Sequence, residues 1–478
     1  MDSKEWAKKE FEMVGLGDKR LNQRLIKISQ QLLESPESRI NKACGNWSET
    51  KAAYRFFQNE NVNYQDIVEA HTEMTQARAK QEDTILAIQD TTYYNFSNHP
   101  KTEGLGVLSR FKGKHKDEIL TLGLCMHTTL GITPEGLPLG ILDQNIFSRE
   151  ELPLEKIELK KKSHNTALPI EEKESIRWLD SMEKTISHFK GQNKKVVTIA
   201  DREADIYDMF LLADRINANV LIRASHNRKI NKTAIHSDIS GEMLWGFMEK
   251  QKSKGTVKVK VPRKDRKPKR LATCNIKYSK VNVLPPRSYK GSKEENLSLD
   301  LYAIHISEQS PPKDSAKIEW ILLTNMPITT FKEAVEKTSW YCLRWRIEVY
   351  FKVIKSGFKA EDCRLEKADR LIRFLAVVSI VAWRVHWLTL VSRTSLDISS
   401  LLFLNEFDWK ILFAKFNPNK NIPKHPPSMK QITLWIAQLG GFLDRKGDGD
   451  PGVTHIWRGL KKFANLIEGA QILKNTCG

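Results

Sequence analysis

Two short apolar runs in this 478-residue chain each lead directly to an aspartate. The first reads T-I-L-A-I-Q-D and ends at Asp90, and the second reads K-V-V-T-I-A-D and ends at Asp201. Runs of this length and composition are typical of buried strands. Ligands of α/β sheets gather at the carboxyl ends of the strands. The sequence therefore predicts an α/β core with a site at these two aspartates.

A polar stripe is predicted on a helix in the last third of the chain. Residues 341–355 read Y-C-L-R-W-R-I-E-V-Y-F-K-V-I-K, contain neither Pro nor Gly, and favour one continuous helix. At about 100° per residue, four polar side chains fall within an arc of roughly 60°. They are Tyr341, Arg344, Glu348 and Lys355. Their apolar neighbours, Trp345 included, are expected to bury much of the rest of the helix.

An ordinary surface face with helical ion pairs would explain part of this pattern. Arg344 and Glu348 are four residues apart and could pair with each other. Tyr341 and Lys355, however, extend the stripe over four turns of a mostly apolar helix. That arrangement favours a stripe turned towards a site.

The spacing Tyr-x2-Arg-x3-Glu-x6-Lys resembles the signature of the insertion-sequence-four group of cut-and-paste DDE transposases. D-R-E-A-D at 201–205 is similar to a motif of the same family. G-D-K-R-L and K-A-A-Y-R-F resemble its end-binding domain, and I-A-Q-L-G-G-F-L-D-R-K resembles its C-terminal dimerisation region. The resemblance extends over essentially the whole chain and is weakest at about 255–300 and 395–430.

The resemblance implies that Asp90, Asp201 and Glu348 form a catalytic, metal-binding triad. Carboxylates from distant segments suit Mg²⁺, with Mn²⁺ able to substitute, and two ions per site would serve an in-line displacement. In D-R-E-A-D, Asp201 is the expected ligand because it directly ends the strand, whereas Glu203 and Asp205 are expected to be structural.

Five further side chains around this triad are candidates for DNA binding. Tyr341, Arg344 and Lys355 would hold phosphates close to the metal ions. Arg223 lies in the predicted strand at 220–229 and would extend this surface. Trp320 stands where the family places a Trp beside a flipped base, although a core Trp explains the position equally well.

The formal net charge of +19 favours a polyanionic partner, with nucleic acid first, over a generally basic protein. Near the N-terminus, two predicted helices carry basic side chains away from their apolar faces, and Asp18 is predicted to cap the first of them. Such helices suit a DNA groove, although a solvated face explains any single lysine. The candidates are Arg20, Arg24, Lys27, Lys51 and Arg55.

The predicted fold class is α/β (α+β), an RNase H-like catalytic core between helical domains. The expected boundaries are 1–70 for DNA-end binding, 71–375 for the core and 376–478 for dimerisation, with a β-rich insertion at about 235–325. Two strands around the T-P-E-G turn at 133–136 are expected to form a meander, and residues 369–391 a buried apolar helix. A dense basic run occupies 263–270.

Cellular location is constrained by what the sequence lacks. The N-terminus is too charged for a secretory signal, and no uninterrupted apolar run of about 18 residues predicts a membrane span. The six cysteines are scattered without a C-x2-C pair, which disfavours zinc and disulfide frameworks. A reduced cytoplasm, with the protein on the bacterial nucleoid, fits these features.

By the resemblance, the protein is a DNA transposase that nicks transposon ends, closes and opens a hairpin, and joins the 3′ ends to target DNA. Double-stranded end and target DNA are the implied partners, with a homodimer in the synaptic complex. Two alternatives are a transposase-derived DNA-binding regulator without activity and an RNase H-like repair or recombination nuclease. The presence of all three carboxylates argues against the first, and the end-binding and dimerisation regions argue against the second.

Overall fold

The computed structural model describes residues 3–37, 39–112, 118–149, 169–231, 242–261, 270–287, 289, 298–313, 315–394 and 398–477. Most of the predicted basic run at 263–270 lies outside these residues. Helices occupy both ends of the chain, and others lie between the strands. They are α1 (Ser3–Glu10), α2 (Lys19–Glu34), α3 (Ile40–Ala43), α4 (Trp47–Gln58), α5 (Tyr64–Ala79), α6 (Ile176–Ser187), α7 (Tyr207–Arg215), α8 (Leu244–Lys250), α9 (Phe331–Cys342), α10 (Trp345–Lys352), α11 (Ala368–Thr394), α12 (Glu406–Phe416), α13 (Met429–Leu439) and α14 (Val453–Cys477).

Strands occupy the middle of the chain, which confirms the mixed α/β prediction. They are β1 (Thr84–Asn95), β2 (Gly106–Lys112), β3 (Glu118–Ile132), β4 (Pro138–Phe147), β5 (Lys195–Ala200), β6 (Asn219–Arg223), β7 (Lys229–Asn231), β8 (Glu242–Met243), β9 (Gly255–Val261), β10 (Arg270–Val283), β11 (Leu299–Glu308) and β12 (Glu319–Thr324).

The chain divides into two compact units. The sheet unit comprises Glu82–Asp90 and Leu152–Trp345, and the terminal unit comprises Met1–Gln81, Thr91–Glu151 and Arg346–Gly478. Strand β1 contributes to both, because the division falls between Asp90 and Thr91.

In the sheet unit, β1, β5 and β6 are parallel neighbours. Strand β12 then pairs antiparallel with β6, and β11, β10 and β9 follow in antiparallel order. The strands of the predicted insertion therefore continue the same sheet beyond β12. Helices α6 and α7 bury Trp178, Met182 and Phe210 against the sheet, in a cluster that includes Val220 and Ile222.

In the terminal unit, β2, β3 and β4 form an antiparallel meander. The predicted turn joins β3 to β4, where the Gly136 N–H donates to the Thr133 carbonyl. Helix α11 has 27 residues, and nearly all of its side chains from Phe374 to Ser392 are buried. It is long and apolar enough to cross a membrane, yet its apolar window is wholly buried inside the protein. The expected burial of this helix is confirmed.

A buried charge cluster attaches α1 to α5 in the terminal unit. Arg78 donates to both carboxylate oxygens of Glu10, at 3.0 and 3.1 Å, and His71 Nδ1 lies 2.5 Å from the same carboxylate. His71 Nε2 accepts the Ile141 N–H, so the imidazole is neutral and donates from Nδ1. Burial alone would raise the pKa of Glu10, but Arg78 and His71 lower it to about 2.

This cluster predicts a pH-dependent contribution to stability. A carboxyl whose pKa is lowered on folding stabilises the protein above its unfolded pKa and loses that effect in acid. We expect Glu10→Gln to lower the free energy of unfolding, with a pH-dependent part of about 3 kcal/mol. That part should be complete above pH 4.5 and shrink as the pH falls towards 2. Urea denaturation of both proteins across this range measures it, and a difference independent of pH would contradict it.

Candidate active site

Asp90 and Asp201 lie at one edge of the sheet unit. Strands β1 and β5 are parallel, with Ile88 opposite Ile199. Each aspartate stands two residues beyond this pair, on neighbouring strands whose backbones are about 4.8 Å apart. Asp201 directly follows β5, but β1 continues to Asn95, so the expectation that Asp90 stands just past its strand is wrong. Asp201 also caps the 3-10 turn Arg202–Ala204, because its carboxylate accepts the Glu203 N–H at 2.8 Å. The structure thus brings two of the three predicted ligands together.

Arg344 reaches the first of these aspartates. Its Nη1 lies 3.5 Å from Asp90 Oδ2, and the two side chains are only 15% and 17% exposed. An ion pair in partial burial is screened less by water than one on an open surface. A cation that holds Asp90 in this way is also placed to hold a phosphate beside it.

Tyr341, Trp320 and Arg223 form a cluster in the same unit. The rings of Trp320 and Tyr341 meet edge to face with centroids 5.4 Å apart, and the Arg223 guanidinium carbon lies 5.9 Å from the Trp320 ring. Burial raises the pKa of Tyr341, and the negative charge of Asp201 raises it further against the opposing effect of Arg344 and Arg223. Tyr341 is therefore a neutral phenol near Asp201, with an O–H that can donate.

The expectation of one continuous helix over 341–355 is wrong. Helix α9 ends at Cys342, and the N–H groups of Leu343 and Arg344 donate to carbonyls only three residues back. Helix α10 begins at Trp345, and a π-helical turn, Val353–Gly357, follows it. A tightened turn and a widened turn both depart from 100° per residue, so the regular spacing from which the stripe was predicted does not hold over 341–355.

The break between α9 and α10 bears on the burial of nearby side chains and on the unit to which each of them belongs. Trp345, expected in the core, is 43% exposed because it stands at the turn between the two helices. Tyr341 and Arg344 belong to the sheet unit, whereas Glu348 and Lys355 belong to the terminal unit. Lys355 Nζ lies 5.4 Å from the Tyr94 ring, and burial lowers its pKa. The convergence of Glu348 on the two aspartates stays a prediction.

The two aspartates suit a divalent cation. They supply oxygen ligands at a partly exposed sheet edge, which is the ligand type that Mg²⁺ prefers. Across the described parts of the chain, no three His, Cys, Asp or Glu side chains group closely enough to hold an ion by themselves. The residues present therefore fit a divalent cation that is held by two carboxylates. Its remaining coordination positions would be open to other ligands.

The other acids of D-R-E-A-D behave as expected. Asp205 is buried and accepts the backbone N–H groups of Ser225 and His226, at 2.7 and 2.8 Å. Its other oxygen receives two bonds from Arg228, which is also buried. This pair ties the turn after β5 to the segment after β6. Glu203, in contrast, is largely exposed and lies 3.8 Å from Arg177. Sequence reasoning missed the Asp205–Arg228 pair, because nothing local marks which of several arginines is buried.

The N-terminal helices carry most of their predicted basic side chains on the surface. Asp18 caps α2 as predicted, with its carboxylate accepting the Arg20 N–H. Arg24 differs from the other candidates, since its guanidinium lies 2.6 Å from Glu49 and joins α2 to α4. Trp47, which the sequence did not single out, is 77% exposed at the start of α4. Exposed as predicted are Arg20, Lys27, Lys51 and Arg55.

Three family models match consecutive parts of the chain. A transposase DNA-binding model matches residues 3–62, a transposase DDE domain matches 171–383, and a transposase Tn5 dimerisation domain matches 380–477. The DDE match contains Asp201 and Glu348 but begins after Asp90.

Together these matches define a DNA-binding, dimer-forming enzyme of the nuclease and transposition class. The DDE domain implies dependence on a divalent metal ion, and the sheet unit with its helical flanks has the architecture of an RNase H-like core. A DNA-binding transposase of this kind is expected in the cytoplasm. The chain belongs to the Tn5-like, insertion-sequence-four family of DDE transposases.

Proposed function

We propose that this protein excises and inserts a bacterial mobile element by cut-and-paste transposition, as a nucleoid-associated enzyme. Water nicks each transposon end, and the freed 3′ hydroxyl attacks the opposite strand to close a hairpin. Water then opens the hairpin, and the 3′ hydroxyl attacks target DNA. A homodimer would bridge the two ends in the synaptic complex. The observation that carries this proposal is the pair Asp90 and Asp201 on neighbouring parallel strands, beside Arg344.

Asp90, Asp201 and Glu348 are the proposed ligands of two Mg²⁺ ions, which Mn²⁺ could replace. Ions bound there supply activation of the attacking oxygen and stabilisation of the leaving oxygen. Carboxylates suit this chemistry because phosphodiester transfer between oxygens requires no covalent enzyme intermediate. Asp90 and Asp201 would provide fixed negative charge on neighbouring strands of the sheet, which would keep the reacting groups in place.

The basic and aromatic side chains around the pair are proposed to bind the DNA. Arg344 would exchange its contact with Asp90 for a phosphate near the cut, and the neutral Tyr341 would donate a hydrogen bond to the same backbone. Arg223 and Trp320 already contact each other, so a base could stack on Trp320 while Arg223 holds its phosphate. Lys355 is the proposed phosphate ligand from the π-helical turn.

The exposed face of the N-terminal helices is proposed to recognise the transposon end. Lys51 and Arg55 follow Trp47 at intervals of four residues on α4, so all three lie on one side of that helix. Arg20 and Lys27 extend the positive surface on α2. Arg24 is a weaker candidate than the sequence indicated, because its charge is already paired with Glu49.

A cleavage assay with the ends of the native element and Mg²⁺ tests the proposal. The expected products are nicked ends, then hairpins, then blunt ends joined to target DNA. Binding of the ends without cleavage would favour a regulator without activity. Cleavage without joining to target DNA would favour an RNase H-like nuclease.

Replacing Glu348 should separate chemistry from binding. We expect Glu348→Ala to abolish nicking while end DNA still binds, because the change removes a proposed metal ligand and no phosphate contact. Gel shifts and nicking assays on the same preparation measure both properties. If binding is lost as completely as cleavage, Glu348 supports the fold of α10 and is not a ligand.

Basic side chains near the proposed metal site and those on the N-terminal helices should affect different steps of the reaction. Arg344→Ala and Lys355→Ala are expected to slow nicking or hairpin formation inside preassembled complexes, because these side chains position reacting atoms. Lys51→Ala should weaken end binding and lower the salt dependence of binding by about one counterion unit, with near-normal chemistry once the complex is assembled. Single-turnover cleavage with metal added last distinguishes them. Equal slowing by both sets would contradict the assignment.

A further inference from the structure

A cavity of about 740 Å³ lies within the terminal unit. Residues of α1, α2, α11 and α14 line it, together with Phe403 and Leu404 from the segment between α11 and α12. Cavities that hold small organic ligands have volumes of about 300–1,000 Å³, so the size of this one fits such a ligand. The proposed transposition steps give this cavity, here called the helical cavity, no role.

Three buried side chains that line the helical cavity each have a polar atom without a hydrogen-bond partner among the described residues. These atoms are Nε of Arg384, Nε1 of Trp6 and Oε1 of Gln31. The three residues are only 6%, 3% and 8% exposed. Two of the atoms are N–H donors and the third is an acceptor. Buried polar atoms nearly always have a partner, so three such atoms around one cavity indicate a ligand that supplies their partners.

Aromatic rings hold Arg384 in place. Its guanidinium carbon lies 4.2 Å from the ring centroid of Trp387, 5.2 Å from that of Phe403 and 5.9 Å from that of Trp6. Nη2 also lies 3.5 Å from the carbonyl oxygen of Leu402, at the outer limit of a hydrogen bond. Contacts between a cation and aromatic rings stabilise the guanidinium without using its N–H groups. Nε of Arg384 therefore stays available to a ligand.

The positive charge of Arg384 is not paired with a carboxylate. Among the described residues, no acid forms an ion pair with it. Burial lowers the pKa of Arg384 to about 9, so the group keeps its charge at neutral pH, and Glu10 acts in the opposite direction. Both carboxylate oxygens of Glu10, however, already bind Arg78, and His71 binds one of them. An unpaired buried charge is unfavourable, so an anion beside Arg384 would be stabilising.

The other charged side chains of the helical cavity leave this balance unchanged. Three lysines and four acids also line it, and none of the seven is buried. Two of the acids already have partners, since Glu49 pairs with Arg24 at 2.6 Å and Glu34 accepts the Gln30 amide at 2.9 Å. Charges in contact with water are screened more strongly than buried ones. Arg384 therefore dominates the recognition of a buried ligand.

We propose that the helical cavity binds a small organic carboxylate with an aromatic body. The carboxylate would accept the N–H groups of Arg384 and Trp6, and an N–H or O–H group of the ligand would donate to Gln31. Trp6, Phe403 and Phe463 provide rings against which the body would pack. One buried cation matches the single charge of a carboxylate, whereas a doubly charged phosphate would leave charge uncompensated. This proposal is independent of the transposition steps, so either can fail without the other.

Isothermal titration calorimetry of the full-length protein with three matched probes tests the cavity. Indoleacetate has the carboxylate, the aromatic body and an N–H donor, whereas indoleacetamide lacks the charge and naphthaleneacetate lacks the N–H. We expect indoleacetate to bind saturably at a single site. Indoleacetamide should bind at least about tenfold more weakly, because it loses the hydrogen bonds between charged groups. Naphthaleneacetate should bind about threefold more weakly, since it loses a single hydrogen bond to a neutral group.

A variant that fills the cavity, with a matched control, locates the binding. Ala464 and Ala470 are both half-buried on α14, but only Ala464 lines the cavity. Ala464→Trp should abolish the binding of indoleacetate, because the new indole ring occupies the space of the ligand. Ala470→Trp should bind the probe as the wild type does. Thermal unfolding of both variants verifies that they are folded.

Arg384→Met tests the charge itself. Methionine keeps an unbranched apolar side chain among the rings and removes the guanidinium. We expect this variant to bind indoleacetate and indoleacetamide with equal affinity while it keeps a cooperative unfolding transition. If it does not fold, the comparison of the probes on the wild type and the two alanine variants decides.

Three results would overturn the proposal. They are the absence of saturable binding of indoleacetate, equal affinity of the wild type for indoleacetate and indoleacetamide, and unchanged binding in Ala464→Trp. The first result would mean that water satisfies the buried polar atoms. A folded Arg384→Met protein that still prefers the acid to the amide would exclude Arg384 as the binding group. Equal affinity for naphthaleneacetate and indoleacetate would contradict the bond to Gln31.

Discussion

Asp201→Asn is expected to reduce nicking of transposon ends by at least about 10³-fold, since a lost metal ligand costs several kcal/mol of transition-state stabilisation. Asparagine keeps an oxygen that can accept the Glu203 N–H, so the 3-10 turn after β5 should keep its cap. The variant therefore removes the negative charge with little change in the fold. End binding in gel shifts should stay close to that of the wild type.

Two further variants make this test specific to a metal ligand. Glu203→Gln removes the same charge two residues away from a largely exposed side chain and should cleave normally. Asp201→Cys should regain activity in Mn²⁺ but not in Mg²⁺, because a thiolate is a poor ligand for the harder ion. Cleavage by Asp201→Asn at the level of Glu203→Gln would exclude Asp201 as a ligand. An absence of any metal-dependent difference in Asp201→Cys would weaken the assignment independently.

Asp205→Asn is expected to have the largest effect on stability, lowering the free energy of unfolding by about 3–5 kcal/mol. The substitution leaves the buried Arg228 guanidinium without its carboxylate. It also weakens the acceptor for the Ser225 and His226 N–H groups, which tie the two segments together. Urea denaturation measures the change, with Glu203→Gln as a control expected within about 0.5 kcal/mol of the wild type.

A double variant measures the energetic coupling between Asp205 and Arg228. Arg228→Met added to Asp205→Asn should recover part of the lost stability, because it removes the buried charge that the first change leaves unpaired. If the two changes are simply additive, Arg228 is solvated well enough to need no partner, and the structural role given to Asp205 is wrong. The contrast between neighbouring acids of one motif, one catalytic and one structural, rests on these two sets of measurements.

Sequence patterns were reliable where local chemistry decides the outcome. Apolar runs predicted β5 and the first part of β1, because a buried strand must exclude polar side chains along its length. They did not predict that β1 continues through Asp90 to Asn95. Asp18 could be identified as a cap, since its carboxylate bonds to an N–H two residues away. The burial of α11 also followed from composition, as a helix that is apolar all round has no face to turn to water. Short motifs likewise indicated the family, with its DNA-binding and dimerisation functions.

Patterns failed where backbone geometry departs from the regular helix. Residues 341–355 have no Pro or Gly, and their propensities support a helix throughout. The break at Leu343 and the π-helical turn at 353–357 come from tertiary packing, which can override such weak local preferences. Within the sheet unit, Arg344 contacts Asp90 and Tyr341 packs on Trp320, and helical spacing alone predicts neither contact.

The sequence by itself indicated most of the strands and helices, the position of Asp201 directly after β5, and the family to which the chain belongs. Only the tertiary structure decided that Asp90 and Asp201 lie on neighbouring strands, beyond the same end of their parallel pairing, because the alternation within a strand does not specify its partner. It also decided that Asp205 pairs with Arg228 and that Arg24 pairs with Glu49. These relations join residues far apart in the chain, and their energies depend on burial that no local pattern encodes.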